Sequence, residues 1–302
     1  LFFKTIHATK SLKGLDVLSS RLVKAGPLRA DWSNQHDPTA EWSQIASDLR
    51  IVAVATNGDA QNMAQHAAPA WAVWMRTLTT WLAEDIGGGP RPWKLAWIVN
   101  FQKGGTFLFL GALLAYYRNT SVAAWIYLAM HGTYGLVWLL KDLAFPDASW
   151  QKRVTLLGGI NAFALVLGPY WSFGWLLMRR SQTPDYPLPS HVWYCLCISL
   201  CIFGSALMIA ADAQKHFTLR YKKGLITDGL HRYIRHPNYL GEMMIYGSFA
   251  LLTWHWFPAI VLTWVWLMLF AVNMVMKEAS MSRHPEWTEY KQRTWWLIPF
   301  IL

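Results

Sequence analysis

The sequence predicts an all-α, polytopic transmembrane helical bundle of about six spans, preceded by an N-terminal amphipathic helix. Three observations support this fold class. Hydrophobic residues make up 54% of the 302 residues and charged residues only 15%, whereas charged residues are about a quarter of an average soluble protein. Six apolar segments follow residue 90, each close to the roughly 20 residues that a helix needs to cross a bilayer. The 20 Trp residues suit membrane interfaces, where amphipathic rings are enriched.

The apolar segments give the approximate limits of the spans. We predict spans at residues 95–117, 121–141, 153–178, 190–212, 238–254 and 257–276. Before them, Trp71, Trp74, Leu78 and Trp81 recur at helical spacing, which predicts an amphipathic helix over 66–86 that lies on the bilayer surface. An ordinary packed helix would show the same spacing.

Basic residues are concentrated in alternate connections between the predicted spans. The opposite connections keep only Arg118, Arg179 and Arg180, so the positive-inside rule places both ends of the bundle in the cytoplasm. The formal charge of +10 therefore indicates cytoplasmic loops facing anionic membrane lipid, and we expect no nucleic-acid partner.

The connection between the fourth and fifth spans is rich in groups that suit a phosphate. Lys215, Arg220 and Arg235 supply positive charge there, and Arg adds a planar fork of donors. Pro237 suits the first turn of the next helix, whose free N–H groups and dipole attract anions. Glu242 lies one turn inside an apolar span, where an ionisable residue is costly and marks a functional site by default. The alternative is a basic loop that only sets topology.

A polar face also runs along the second predicted span. His131, Tyr134, Trp138 and Lys141 follow the spacing i, i+3, i+7 and i+10, so they share one side of a helix. The first span adds Lys103. Polar groups inside a bilayer face a bundle interior and mark sites or pathways. The alternative is that they only form hydrogen bonds between helices.

The run GLHRYIRHPNYLGE at residues 229–242 resembles the signature of the steroid 5α-reductase C-terminal domain. The similarity extends over about residues 205–302, and residues 131–147 resemble a bacterial-type branch of membrane reductases. An Arg-His-Pro-x-Tyr run also occurs in isoprenylcysteine carboxyl methyltransferases, which bind S-adenosylmethionine in a related helical pocket. A methyltransferase of that type therefore remains an alternative.

The resemblance implies NADPH as the cofactor and a set of residues that bind it. By position in the motif and around it, these are Asp212, Lys215, Arg220, Tyr233, Arg235, His236, Asn238, Glu242, Tyr246 and Glu278. It also implies three parts: a soluble or interfacial segment at 1–90, membrane helices around a lipophilic substrate pocket at 91–212, and an NADPH-binding reductase domain at 213–302. No Cys and His cluster with the spacing of a metal site is present in the sequence, so we expect no metal.

The reaction that the resemblance implies is reduction of a carbon–carbon double bond conjugated to a carbonyl, in a steroid-like or terpenoid substrate. Tyr134 is the candidate hydrogen-bond donor to the carbonyl oxygen, and His131 or Lys103 would set its proton affinity. The expected protein is a multi-pass membrane enzyme whose cofactor side faces the cytoplasm. A non-catalytic lipid-binding membrane protein is the further alternative, and it predicts that no cofactor binds.

Overall fold

The computed structural model describes residues 68–180 and 182–301, and within these ranges the chain is almost entirely helical. The helices are α1 (Ala70–Thr80), α2 (Leu95–Tyr117), α3 (Val122–Ala144), α4 (Leu156–Met178), α5 (Ser190–Tyr221), α6 (Pro237–Thr253), α7 (Trp256–Met281) and α8 (Trp287–Arg293). The predicted all-α polytopic bundle is confirmed. The predicted N-terminal segment lies outside the described residues up to residue 67.

Five of these helices, α2 to α5 and α7, are long and apolar enough to cross a membrane by length and composition. Helix α6 has 17 residues and is about 25 Å long at 1.5 Å per residue, which is short of a hydrocarbon core of about 30 Å. The prediction of six spans is therefore corrected to five candidate spans and one shorter helix. Helix α6 is short because it begins at Pro237 and ends where Trp254 turns to a left-handed backbone, with φ of 43°.

Helices α5 and α7 extend five or more residues beyond their predicted ends, and both extensions carry candidate site residues. Helix α5 continues to Tyr221 instead of ending at 212, so Lys215 and Arg220 lie on a helix and not in a loop. Helix α7 continues to Met281 and carries Glu278. The apolar pattern ends earlier than the helices do, since Ala, Gln and Lys extend a helix into water readily.

Local signals in the sequence explain where the helices begin. The side chains of Ser121 and Thr155 each accept a hydrogen bond from the backbone N–H three residues on, which caps α3 and α4. Just before α4, the strand β2 (Arg153–Val154) pairs antiparallel with β1 (Trp93–Lys94), which precedes α2. This pairing joins the ends of α2 and α4 from which both helices enter the bundle.

Helix α1 packs on the bundle through α7. The guanidinium of Arg76 donates a hydrogen bond to the side chain of Asn273 on α7. Trp71, Trp74 and Trp81 stay about half exposed, and the chain leaves α1 through a π-helical turn at Trp81–Asp85. The predicted helix is therefore present, and its exposed Trp rings suit a bilayer interface.

Glycines let the central helices touch through their backbones. A Cβ added at Gly135 on α3 would lie 2.0 Å from the carbonyl oxygen of Lys103 on α2. A Cβ at Gly241 on α6 would lie 2.6 Å from the carbonyl oxygen of Gly204 on α5. Such close approach is typical of membrane helix pairs with small residues at the crossing. The crossing at Gly135 sets the depth at which Lys103 faces α3.

We expect Gly135→Ala to destabilise the bundle, because the new methyl group would overlap a backbone carbonyl that cannot rotate away. Overpacking of this kind costs about 1–3 kcal/mol or more. The matched control is Gly111→Ala on α2, where an added Cβ meets no atom of the described residues within 4 Å. Melting of both variants in the same detergent checks the prediction, which is wrong if the two melt together.

The core lies where α3, α4, α5 and α6 converge. Tyr127, Phe173, Met208 and Phe249 are each fully buried there. The outer faces of the helices are apolar as well: Leu143, for example, is 83% exposed. An apolar outer surface suits lipid. Polar side chains that point into the bundle are therefore surrounded by the apolar core and, beyond the helices, by lipid.

Candidate active site

The most polar part of the bundle interior is a group that we call the interior cluster: Lys103, Tyr134, Tyr170 and Tyr246. The Lys103 ammonium donates a hydrogen bond to the Tyr246 hydroxyl. It also lies 4.7 Å from the ring centre of Tyr134 and 4.7 Å from that of Tyr246. The ring of Tyr170 stacks on Tyr246 with centres 4.1 Å apart. Four helices, α2, α3, α4 and α6, thus bring a cation and three phenols together.

The predicted polar face of α3 supplies one side of this cluster. His131, Tyr134, Trp138 and Lys141 are all buried, whereas Leu140 on the opposite face is 65% exposed. The predicted common face is confirmed. His131 lies in a π-helical turn at residues 128–132, an irregularity that is frequent at functional sites in helices.

The half of this face formed by His131 and Tyr134, which we call the inner half, has polar atoms without hydrogen-bond partners among the described residues. Among the described residues, neither the Tyr134 hydroxyl nor Nε2 of His131 has a partner in hydrogen-bonding geometry, and both atoms are buried. The other ring nitrogen of His131 lies 3.0 Å from the Tyr127 hydroxyl, and the ring stacks on Phe249. Because a buried unpaired polar atom costs about 1–3 kcal/mol, these two atoms are candidates to contact a ligand.

The outer half of the face, formed by Trp138 and Lys141, makes polar contacts that hold helices together. Trp138 donates to the Asn100 side chain over 3.2 Å, and Asn100 donates to Asp142 over 2.7 Å. The Lys141 ammonium forms an ion pair of 2.8 Å with Asp212 on α5. The inner half of the polar face is therefore the candidate site, whereas the outer half forms polar contacts between helices.

The Lys141–Asp212 pair borders a cavity of about 450 Å³, which we call the polar groove. Its lining is Lys141, Phe145, Pro146, Asp147, Ala148, Asp212, Lys215, His216, Leu219 and Arg220. The Lys215 ammonium lies 4.0 Å from the Asp147 carboxylate. Burial alone would raise the pKa of Asp147, but hydrogen bonds from Ser149 and the nearby lysines lower that pKa below its usual value. The predicted residues Asp212, Lys215 and Arg220 share this groove.

A separate cluster forms around Arg235. Its Nε donates to the Glu278 carboxylate over 2.5 Å and its Nη1 to the Thr294 carbonyl over 2.5 Å, with only 8% of the side chain exposed. Nε2 of His236 lies 3.7 Å from the same carboxylate. Burial lowers the pKa of His236, although Glu278 opposes that shift. Arg235 thus fixes the segment after α8 to the start of α6, and two of its donor nitrogens are used within the protein.

The other predicted cofactor residues are spread along the same end of α6. Tyr233 is 62% exposed, whereas Asn238 and Glu242 are half-buried on the first turns of the helix. Glu242 forms no hydrogen bond or ion pair with the described residues. Tyr246 lies deeper, in the interior cluster. The predicted set is therefore divided between the polar groove, the Arg235 cluster, the region around the start of α6 and the interior cluster.

Tyr170 and Asp147 were not among the residues predicted from the sequence, although both lie against candidate residues. Tyr170 follows Gly168 and Pro169 within an otherwise apolar span, and an isolated phenol at that depth is itself a signal. Asp147 had no local signal, since its role depends on where α5 lies. Across residues 68–180 and 182–301, no group of three or more His, Cys, Asp or Glu side chains could hold a metal ion.

Comparison with known proteins bears on the second half of the chain. Residues 163–294 match the family model described as "Protein of unknown function (DUF1295)". The chain is also 24% identical over 162 residues to "Steroid 5-alpha-reductase DET2" from Solanum lycopersicum. That alignment covers 52% of this chain and 55% of the relative, so the chain spans about half the relative's length.

These matches confirm the resemblance to the steroid 5α-reductase family. All the predicted cofactor residues, from Asp212 to Glu278, lie inside the matched range, whereas Lys103, His131 and Tyr134 precede it. The part of the chain that is similar to known proteins is thus joined to membrane helices whose polar residues Lys103, His131 and Tyr134 lie outside the family match.

Proposed function

On the premise that this chain carries a domain similar to the steroid 5α-reductases, we propose that it is an NADPH-dependent membrane reductase. Its substrate would be a lipophilic steroid-like or terpenoid compound with a carbon–carbon double bond conjugated to a carbonyl. The observation that carries the proposal is the buried Tyr134 hydroxyl, which has no hydrogen-bond partner among the described residues. The ring that bears it has its centre 4.7 Å from the Lys103 ammonium. The match to a reductase favours this function over a methyltransferase.

The chain's own residues would polarise the substrate. Tyr134 donates its O–H to the carbonyl oxygen, so that negative charge developing on that oxygen meets a fixed donor in an apolar interior. The Lys103 ammonium over the Tyr134 ring adds positive charge at the same place. His131 presents an unpaired Nε2 on the same face and helps to orient the carbonyl.

NADPH supplies a hydride when it is bound, and the polar groove fits its phosphate groups. Lys215 and Arg220 line the groove, Arg220 is exposed, and neither forms an ion pair closer than 4.0 Å with a described residue. Asp212 is held by Lys141 and would accept hydrogen bonds from the sugar hydroxyls of the cofactor. Glu242, half-buried on the first turns of α6 and without a hydrogen bond to a described residue, would accept hydrogen bonds from the cofactor's polar groups. Arg235 and Glu278 are bonded to each other in their own cluster and would not contact phosphate.

The cofactor side faces the cytoplasm in this proposal. Helix α6, although short, returns the chain along α5, because Trp193 near the start of α5 donates to the Leu251 carbonyl near the end of α6. The basic C-terminal ends of α5 and α7 therefore lie on one side, which the positive-inside rule makes cytoplasmic. The substrate enters from the membrane, where lipophilic compounds partition, among the helices of residues 91–212. Residues 213–302 serve the cofactor, with Asp212 and Lys141 at the boundary of the two parts.

Parallel titration of the detergent-solubilised protein with NADPH, NADH and S-adenosylmethionine tests the proposal by calorimetry. We expect saturable NADPH binding that weakens as salt rises, because an exposed charged groove is screened. Binding of S-adenosylmethionine alone would favour the methyltransferase instead. No heat with any of the three would favour a lipid-binding protein and would contradict the proposed function.

A further inference from the structure

The interior cluster contains two phenols that lie beside one ammonium but contact it differently. Resting on the proposed reductase function, we propose that Tyr246 is the acid that protonates the substrate's α-carbon and that Lys103 supplies the proton to Tyr246. Tyr134 keeps its separate task at the carbonyl oxygen. This gives Tyr246 a catalytic role instead of the cofactor-binding role that its position in the sequence motif implies.

The first observation is that the Lys103 ammonium forms no direct ion pair with a described residue, although the Glu242 carboxylate attracts it from a greater distance. It is only 4% exposed, and within the described residues no Asp or Glu oxygen lies within ion-pair distance of it. Its one polar contact is the hydrogen bond to the Tyr246 hydroxyl. A buried charge is costly unless it is paired, and at membrane depth such a residue marks a proton or ion pathway. Lys103 is therefore poorly explained as a structural residue.

The second observation is the aromatic surrounding of the ammonium. Lys103 Nζ lies 4.7 Å from the ring centres of Tyr134 and Tyr246 and 5.0 Å from that of Trp138. Ring faces attract a cation by about 0.5–2 kcal/mol each without taking its proton. Such a cage holds an ammonium in place and leaves its proton free to move, whereas a carboxylate partner would hold both charge and proton.

The third observation separates the two phenols. Lys103 donates to the oxygen of Tyr246, and a cation bonded to a phenol oxygen stabilises the phenolate that remains once the proton has left. For Tyr134 the ammonium lies over the ring, and its hydroxyl has no bonded partner among the described residues. Tyr246 is thus arranged to lose a proton, and Tyr134 to keep one and donate a hydrogen bond.

The proton balance of the step closes with groups in the chain and solvent. Hydride addition at the β-carbon leaves an enolate, whose oxygen accepts the hydrogen bond from Tyr134. The Tyr246 O–H bond breaks as the new α-carbon–hydrogen bond forms, and the phenolate then takes a proton from the Lys103 ammonium. A solvent proton restores the ammonium. The net reaction adds one hydride and one proton to the double bond.

Other titratable groups surround this pair and shape its pH dependence. Glu242 on α6 acts on Lys103 through space with attraction, and Lys141 on α3 with repulsion. His131 lies on the face of α3 that also carries Tyr134, and Tyr170 on α4 stacks on Tyr246. A pH profile of turnover therefore reports several groups, and variants of the pair itself are the sharper test.

Lys103→Arg is the first variant, because a guanidinium keeps the positive charge but does not release a proton. Wild type and variant are mixed with NADPH and an enone that the wild type reduces, and product is followed through the first turnover and beyond. We expect the variant to form about one product per site at a normal rate, followed by steady turnover about 100-fold slower, the scale of lost acid–base catalysis. If Lys103→Arg matched wild type in both the first turnover and the steady state, or was slowed equally in both, the role of Lys103 would be overturned.

Tyr246→Phe is the second variant and remains informative if Lys103→Arg does not fold. In deuterated water, wild type should place deuterium on one face of the α-carbon, whereas Tyr246→Phe should give slow product labelled on both faces. NADPH affinity of Tyr246→Phe should equal that of wild type, and a weakened affinity would return Tyr246 to the cofactor site. Single-face labelling at the normal rate would also contradict the proposal. If wild type itself binds no NADPH, the proposed function fails, and that failure is distinct from either result.

Discussion

Tyr134→Phe is expected to lower turnover by about 100-fold or more, the scale of losing one donor to a developing oxyanion. The variant removes one hydroxyl and keeps the ring, which packs edge-on against Tyr246 and contacts Phe249. NADPH affinity should not change, because the cofactor is assigned to the polar groove and the end of α6. Turnover, NADPH affinity and melting temperature are measured on one preparation.

The melting temperature distinguishes a catalytic from a structural hydroxyl. The Tyr134 hydroxyl is buried and has no bonded partner among the described residues, so its removal should leave stability at the wild-type level or raise it by up to about 1–3 kcal/mol. The matched control is Tyr186→Phe, since the Tyr186 hydroxyl donates to the Leu252 carbonyl over 2.7 Å. That variant should lose about 1 kcal/mol and retain its activity per folded molecule. A Tyr134→Phe protein that is destabilised but fully active would end the catalytic role of this residue.

Arg235→Ala is expected to destabilise the protein strongly. The ion pair with Glu278 is largely buried, with 8% and 17% of the two side chains exposed. Removing one member of a buried pair costs about 3–5 kcal/mol, because the other charge is left unpaired. The Thr294 carbonyl would lose its donor as well. Melting of Arg235→Ala in detergent checks this expectation.

Arg220→Ala is the contrasting variant, since Arg220 is exposed at the polar groove. It should melt with wild type but bind NADPH about 10- to 100-fold more weakly, which corresponds to one charge-assisted bond of about 1.5–3 kcal/mol. The loss should shrink as salt rises. If Arg235→Ala melted normally and Arg220→Ala bound NADPH normally, the assigned roles of the two arginines would both be wrong.

The fold could be predicted because its signals are local. Apolar segments of span length show where helices lie in a bilayer, and the spacing of His131 and Tyr134 identifies the inward face of α3. Helix ends were less predictable, because hydropathy records where lipid ends and not where the helix does. For that reason, the span predicted for α5 ends at 212, before the turns that carry Lys215 and Arg220.

The site was predictable in its residue types but not in its pairings. Lys103 contacts Tyr246 across 143 positions of sequence, and only the arrangement of α2 against α6 brings the two together. Arg235 and Arg220 look equivalent in the sequence as phosphate ligands. Burial distinguishes them: Arg235 is buried and pairs with Glu278 on α7, whereas Arg220 is exposed at the polar groove.

The most direct test of the reductase is transfer of a labelled hydride. NADPH that carries deuterium at its transferable position is incubated with the purified protein and a panel of enone sterols and terpenoids. The products are then examined by mass spectrometry and NMR. The account predicts a saturated ketone with one deuterium at the β-carbon, formed by wild type and about 100-fold more slowly by Tyr134→Phe. Bound NADPH that transfers no deuterium to any enone, or deuterium found at the carbonyl carbon of an alcohol product, would contradict it.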